Sequence, residues 1–319
     1  MATSTAVVRL RKEMVCRRPT DADLRERAPI VVTERDKELL VDVFKHGFLT
    51  TDLIELAYFP PDAQRRSRSS CCYDRLKLLW LWNYVDRIEL PVARVLGGRR
   101  PYLYTLGRRG LPYVQERISG TLVQLRRLDR LHDLFIEHDL RSASLWASLK
   151  AVVRATRLRW VRWTSERELR ARRFRVEDPD TGRWLPVLPD GLFALGYPDG
   201  TTQAALVEVD MGTVDLKRFR RKVRAIERFY QLDGFWQHLK LEHVEVWVLA
   251  KSAERIEHLR DAAWPEVPEE RREDYLFATF DEVTPDHVAG TNWLYLDGKR
   301  RAALYPDAFG EAGDPEAPK

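Results

Sequence analysis

The sequence predicts a mixed α/β protein in two parts. In the first, three helices precede a strand hairpin; in the second, longer part, strands and helices alternate. Three observations carry this reading. Apolar residues recur at helical spacing in three stretches between positions 33 and 84, then give way to two short apolar runs that flank a Gly-Gly-Arg-Arg tip at 97–100. Two further apolar runs, 188–195 and 204–210, are separated by Gly-Tyr-Pro-Asp-Gly, a strong turn signal. After them come a basic amphipathic helix, a strand, a capped helix and another strand, ending near position 280.

A chain of 319 residues with 44% hydrophobic content and ten Trp is long enough to bury two cores. Its net charge of +5 hides an asymmetry: residues 1–241 hold 45 Lys and Arg against 31 Asp and Glu, whereas residues 242–319 hold 9 against 18. A polyanion should therefore bind the first 241 residues. The only cysteines are Cys16, Cys71 and Cys72, with no spacing that suits zinc, as expected in a reducing cytoplasm. The longest apolar stretch, 78–85, is interrupted by Asn83 and is far too short to span a bilayer, so no membrane contact is expected. Residues 1–30 lack the apolar core of a signal peptide.

Taken in order, residues 1–30 read as a flexible basic arm with Arg9, Arg11, Lys12, Arg17 and Arg18. Thr33 then opens a helix, with Glu34 and Asp36 in the first turn, where the helix dipole favours acids. Leu39, Leu40, Val43 and Phe44 make its apolar face, and Gly47 ends it. Thr50 or Thr51 caps a second, short helix that stops at Pro60-Pro61. A third runs from about Ala63 to Tyr84, beginning with Arg65, Arg66, Ser67, Arg68, Ser69 and Ser70. Residues 85–92 and 101–106 read as strands flanking the basic tip. This order is that of a winged helix-turn-helix over residues 31–121. Arg65, Arg66, Arg68 and Ser69 suit a recognition helix in the major groove of double-stranded DNA, and Arg99 and Arg100 suit a wing on the phosphates.

Residues 107–127 read as a connector, and 128–153 as an amphipathic helix. Residues 158–163 alternate as an edge strand would, followed by Glu166 and Glu168, which read as a solvated turn, with either as the alternative further acid of the site. In the run 204–210, Glu208 and Asp210 are two residues apart and share a face. A hairpin through the 196–200 turn sets Asp190 beside them. Three converging carboxylates repel one another unless protonated or bridged by a cation. A helix then runs to about Leu241, with Leu216, Phe219, Val223, Ile226 and Tyr230 inward, and with Lys222 bordering that stripe. A strand near 242–250, a helix capped by Ser252 and a strand at 275–280 complete a domain placed at 122–305; residues 306–319 read as a disordered tail.

The Pro189-Asp190 pair followed by Glu208 resembles the PD-(D/E)xK nuclease superfamily, which implies a restriction-endonuclease-like α/β domain. Asp210 stands where that motif places its Lys, and Lys217 or Lys222 of the next helix is the candidate replacement. More broadly, residues 33 to 280 resemble the replication-relaxation family of bacterial plasmid and mobile-element proteins. The resemblance is carried by Leu49-Thr-Thr-Asp-Leu, the arginine-led third helix, Pro101-Tyr-Leu-Tyr-Thr-Leu, Pro189-Asp190, Glu208-Val-Asp-Met-Gly-Thr and Arg221-Lys222. It implies a role in plasmid replication and DNA relaxation or nicking, and the first reading is a bacterial cytoplasmic protein that binds double-stranded DNA and acts on it as a metal-dependent nickase or endonuclease. Asp190, Glu208 and Asp210 would hold Mg²⁺ or Mn²⁺, and Lys222 would complete the catalytic set. The partners implied are a second copy of the chain or replication and mobilisation proteins. The alternative is a non-catalytic replication, partition or transcription factor with a degenerate nuclease domain. No P-loop and no pair of His two residues apart are present, so neither ATP-driven action nor a relaxase of that type is expected.

Overall fold

Thr33 and Asp36 bond reciprocally at the start of α1 (Glu34–His46): the Thr33 hydroxyl accepts from the Asp36 amide at 3.3 Å, and the Asp36 carboxylate accepts from the Thr33 amide at 2.7 Å. Thr50 caps α2 (Thr51–Tyr58) by a single bond, its hydroxyl accepting from the Leu53 amide at 3.3 Å. The computed structural model describes residues 16–17, 29–60, 68–89, 102–118, 133–178, 180–213, 215–290 and 293–304. It divides into two units, residues 1–143 and 144–319, with the division inside a helix rather than at position 121.

In the first unit, β1 (Leu49–Thr50), β2 (Val85–Glu89) and β3 (Tyr102–Leu106) form an antiparallel sheet in the order β1-β3-β2. Leu39, Leu40, Val43, Ile54, Leu76, Leu79 and Leu103 are buried beneath the helices. Arg75 of α3 (Arg68–Leu81) pairs with Asp36, its Nε lying 2.9 Å from Oδ1. Burial would raise the Asp36 carboxyl, but Arg75 and the Thr33 cap outweigh it and hold the group below the usual carboxylate range. Helix α3 ends before the expected Tyr84 because Asn83 turns left-handed at φ 62° and β2 starts two residues later. The expected connector contains a further helix, α4 (Leu111–Arg117), with Pro112 in its first turn, where proline is tolerated. Gly110 before it allows close packing, since a Cβ there would lie 2.6 Å from the Tyr84 carbonyl. Of the residues expected to touch DNA, Arg65, Arg66, Arg99 and Arg100 lie outside the described residues, and Arg68 and Ser69 stand in the first turn of α3.

The second unit is built on a seven-stranded mixed sheet. After α5 (Asp133–Ala155) come β4 (Arg159–Ser165), α6 (Glu166–Arg172), and a separate hairpin, β5 (Arg175–Glu177) with β6 (Trp184–Pro186). Next are β7 (Gly191–Gly196), β8 (Thr202–Asp210), α7 (Leu216–Gln231), α8 (Gly234–Leu239) and β9 (Glu245–Ala250). The last elements are α9 (Ala253–Ala263), β10 (Tyr275–Thr279), α10 (Pro285–Ala289), β11 (Trp293–Tyr295) and β12 (Arg300–Arg301). The order is β12-β11-β10-β9-β8-β7-β4, with β8, β9 and β10 parallel and every other neighbour antiparallel. On one face Leu192, Leu206, Val246, Val248 and Phe277 cluster with Phe219, Val223 and Ile226 of α7 and Ile256 and Leu259 of α9. The opposite face carries Phe193, Val207, Trp247 and Trp293, all fully buried, with Phe193 and Trp247 rings edge-on at 4.8 Å.

Three expectations are corrected here. Glu166 and Glu168 are not in a solvated turn: Ser165 caps α6, and the Glu168 carboxylate accepts from both the Ser165 amide and hydroxyl at 2.8 Å. The helix expected to reach Leu241 breaks after Gln231, because Asp233 adopts φ 53° and a Cβ at Gly234 would meet the Phe229 ring at 2.6 Å. The sheet also continues past position 280 through β11 and β12, whose three and two residues are too short to carry a periodic signal.

Candidate functional site

The site lies where β7 begins and β8 ends. The β7–β8 ladder pairs Gly191 with Val207, and the Asp190 amide adds one more bond, to the Val207 carbonyl at 2.9 Å. Asp190 therefore stands beside Glu208. Its Oδ2 accepts from the Val209 amide at 2.8 Å, so the side chain takes a ladder position that backbone would otherwise fill and its orientation is set by β8. Gly191 brings the strands close together, since a Cβ there would meet the Trp163 ring at 3.1 Å.

Glu208 follows Leu206 on the face that α7 covers, and it is 4% exposed. Lys222 reaches down from α7 to both acids: its Nζ pairs with Glu208 Oε2 and lies 3.5 Å from Asp190 Oδ1. Glu208 Oε1 is buried and, among the described residues, has no hydrogen-bond partner. Burial pushes the Glu208 carboxyl up to about 8; the Asp190 charge adds to the rise, and Lys222 opposes it. Burial alone would lower the Lys222 ammonium, but Asp190 and Glu208 outweigh it and hold the group above the usual lysine range, so Lys222 stays charged.

Asp210 turns elsewhere. It is 4% exposed, and Arg255 of α9 donates to both its oxygens at 2.9 Å while the Gly212 amide donates to Oδ1 at 2.7 Å. The expectation of three acids around one cation is corrected accordingly: among the described residues, Asp190, Glu208 and Asp210 do not form a group whose oxygens all lie within 4.8 Å of one another. The strand's rise is the reason. Two residues advance Asp210 by about 6.6 Å, past the start of β7 and level with Ala250, where α9 supplies Arg255. Lys217 is exposed on the solvent side of α7 and is not part of the cluster; Lys222 sits at the edge of the stripe formed by Phe219, Val223 and Ile226 and can turn inward. Arg255 is the residue that sequence reasoning missed, and nothing near it but the Ser252 cap marked its position.

The cluster thus offers two hard carboxylates and a fixed ammonium at a partly open position, with the Asp190 and Lys222 side chains 12% and 27% exposed. Oxygen donors of this kind suit a divalent cation such as Mg²⁺ or Mn²⁺, and an ammonium beside them suits a phosphate. Among the described residues no helix is long and apolar enough to cross a membrane. A family model described as replication-relaxation matches residues 40–244, a span that contains Asp190, Glu208 and Lys222. No curated protein and no solved structure matches the chain.

Proposed function

The chain belongs to the replication-relaxation family, and from that premise we propose that it binds double-stranded DNA through its N-terminal unit and cuts or nicks a phosphodiester at the Asp190–Glu208–Lys222 cluster. The observation that carries the reading is the reach of Lys222 to both Asp190 and Glu208. It supplies, from a helix, the basic group that Asp210 displaces from the usual strand position.

The fold supports both halves of the proposal. Helix, strand, two helices and two strands, with the sheet ordered β1-β3-β2, is the order of a winged helix. Helix α5, the antiparallel run β4-β7-β8, helix α7 and the parallel strand β9 follow the order of a PD-(D/E)xK core. Asp190 and Glu208 fit a divalent cation, because Glu208 has one buried oxygen without a hydrogen-bond partner among the described residues and both groups are hard donors. When bound, Mg²⁺ or Mn²⁺ would polarise the scissile phosphate and its attacking water. Lys222 stabilises charge that develops on the phosphate oxygens. Glu208 keeps its proton up to about pH 8, so cation binding there releases a proton and strengthens as pH rises. Asp210, held by Arg255, belongs to the frame and stands outside the ligand set. The partners on this reading are DNA and a second copy of the chain or replication and mobilisation proteins, in a bacterial cytoplasm.

The test is nicking of supercoiled plasmid with Mg²⁺ or Mn²⁺ by the wild type, Asp190→Ala and Glu208→Gln. Activity that both substitutions abolish supports the proposal. One observation favours a second reading, a non-catalytic replication or partition factor: Lys222 already pairs with both acids. Salt-sensitive DNA binding without nicking by the wild type would decide for that reading.

A further inference from the structure

Helix α7 presents seven cations between Lys217 and Arg228, and the structure divides them. Arg220 and Arg224 converge on Glu266, and Arg224 also reaches Asp180 at 2.8 Å and Asp178 at 3.6 Å. Arg228 donates to Gln231 at 3.4 Å. Lys222 turns into the carboxylate cluster. The remaining three, Lys217, Arg218 and Arg221, are exposed and form no ion pair among the described residues.

These three occupy one face, since positions three and four apart are neighbours on a helix surface, and Lys222, one turn after Arg218, lies at its buried edge. The arrangement opposes helix stability. Lys217 with Arg221 and Arg218 with Lys222 are like-charge pairs four residues apart, and each is mildly destabilising. Cations in the first turn also face the positive end of the helix dipole. The acid nearest them in sequence is Asp215, the N-cap, whose carboxylate accepts from the Lys217 amide at 3.1 Å; residues 216–226 hold no acid at all. Ordinary solvated faces of this protein mix signs, as with Glu34 and Lys37 on α1 or Glu166 and Arg170 on α6. A polyanion lying along the face would turn the repulsion into attraction, and beside it stands Glu208, buried, with an oxygen that no described residue satisfies.

We infer that Lys217, Arg218 and Arg221 form a second nucleic-acid contact, on the C-terminal unit itself, which holds the phosphodiester backbone as it passes the Asp190–Glu208–Lys222 cluster. The inference rests on the reading of that cluster as acting on a phosphodiester. The contacts are to backbone phosphate and carry no base preference.

The experiment compares the full chain with the triple variant Lys217→Ala/Arg218→Ala/Arg221→Ala, using fluorescence anisotropy with a short mixed-sequence duplex over a series of salt concentrations. Each phosphate contact adds about 0.9 to the slope of log K against log salt, so the triple variant should lose about 2 to 3 from that slope. Arg220→Ala removes another exposed cation, one already paired with Glu266, and should leave the slope unchanged. An unchanged slope in the triple variant overturns the inference. So does an Arg220→Ala loss as large, per charge removed, as that of the triple variant, because the effect is then net charge alone. Thermal unfolding of each variant confirms that only surface groups were removed. A wild type that never nicks plasmid but shows the selective loss of slope removes the catalytic proposal and leaves the contact surface standing.

Discussion

Replacing Lys222 by methionine keeps the side chain's length and removes the charge that lies between two carboxylates. At 3.5 Å from Asp190 Oδ1, an effective dielectric of about 20 gives roughly 5 kcal/mol of gross attraction. Desolvation of the ammonium offsets part of this, and removal of one partner from a buried pair costs about 3–5 kcal/mol. That figure applies only where Glu208 is forced to ionise. The Glu208 carboxyl is already pushed up to about 8, and loss of Lys222 moves it higher. A group whose folded pKa is raised stabilises the protein fully at low pH and loses that contribution as pH rises through the folded value. Near pH 6 Glu208 in the variant is neutral, so the loss is mainly that of Asp190 and amounts to about 1–2 kcal/mol. Near pH 9 the wild type has released the Glu208 proton beside Lys222 while the variant still holds it, and the linkage adds about 1.4 kcal/mol for the pH unit above 8, so the loss grows to about 2–3 kcal/mol. Urea unfolding of the wild type, Lys222→Met, Glu208→Gln and the double variant at both pH values measures this. The Glu208→Gln background should remove most of the pH-dependent loss. A Lys222→Met effect that is equal at both pH values, or unaltered by Glu208→Gln, would refute the reasoning and make Lys222 a packing residue.

Other outcomes are expected. In Lys222→Met, Mg²⁺ should raise the melting temperature more than in the wild type, because a cation then has no internal competitor for the same oxygens; differential scanning fluorimetry reads the shift. Arg255→Ala leaves Asp210 buried with, among the described residues, the Gly212 amide as its remaining donor and should lower stability by about 3 kcal/mol, while the heat of Mg²⁺ binding by calorimetry stays as in the wild type. Val207→Asp places a carboxylate on the fully buried face of β8, costing several kcal/mol; a cooperative melt at the wild-type temperature would show that this packing is wrong. Replacing Arg65, Arg66 and Arg68 together by alanine should weaken duplex binding at least about tenfold and flatten its salt dependence, measured by anisotropy on the full chain.

Local signals determined a large share of this protein. Thr33, Thr50 and Ser252 mark helix starts because capping is a contact between residues three apart, visible in the chain itself. The turn at 196–200 and the two-residue period of 204–210 were enough to set Asp190 beside Glu208, since hairpin register follows from turn and pleat. Even the turning of Lys222 toward the acids follows from its place beside the buried stripe of α7.

What lay beyond reach depended on elements distant in sequence. Asp210 shares a face with Glu208, but its partner is Arg255, 45 residues on, brought there by a parallel crossover from β8 to β9. Which arginines of α7 are paired was equally undetermined, because Glu266, Asp178 and Asp180 reach them only once the sheet has folded. The short strands β11 and β12 form because β10 offers an edge, and two or three residues hold no period of their own. Charge and periodicity set which residues can meet; the order of the strands decided which of them do, because only packing across the sheet makes a salt bridge between residues so far apart in the chain.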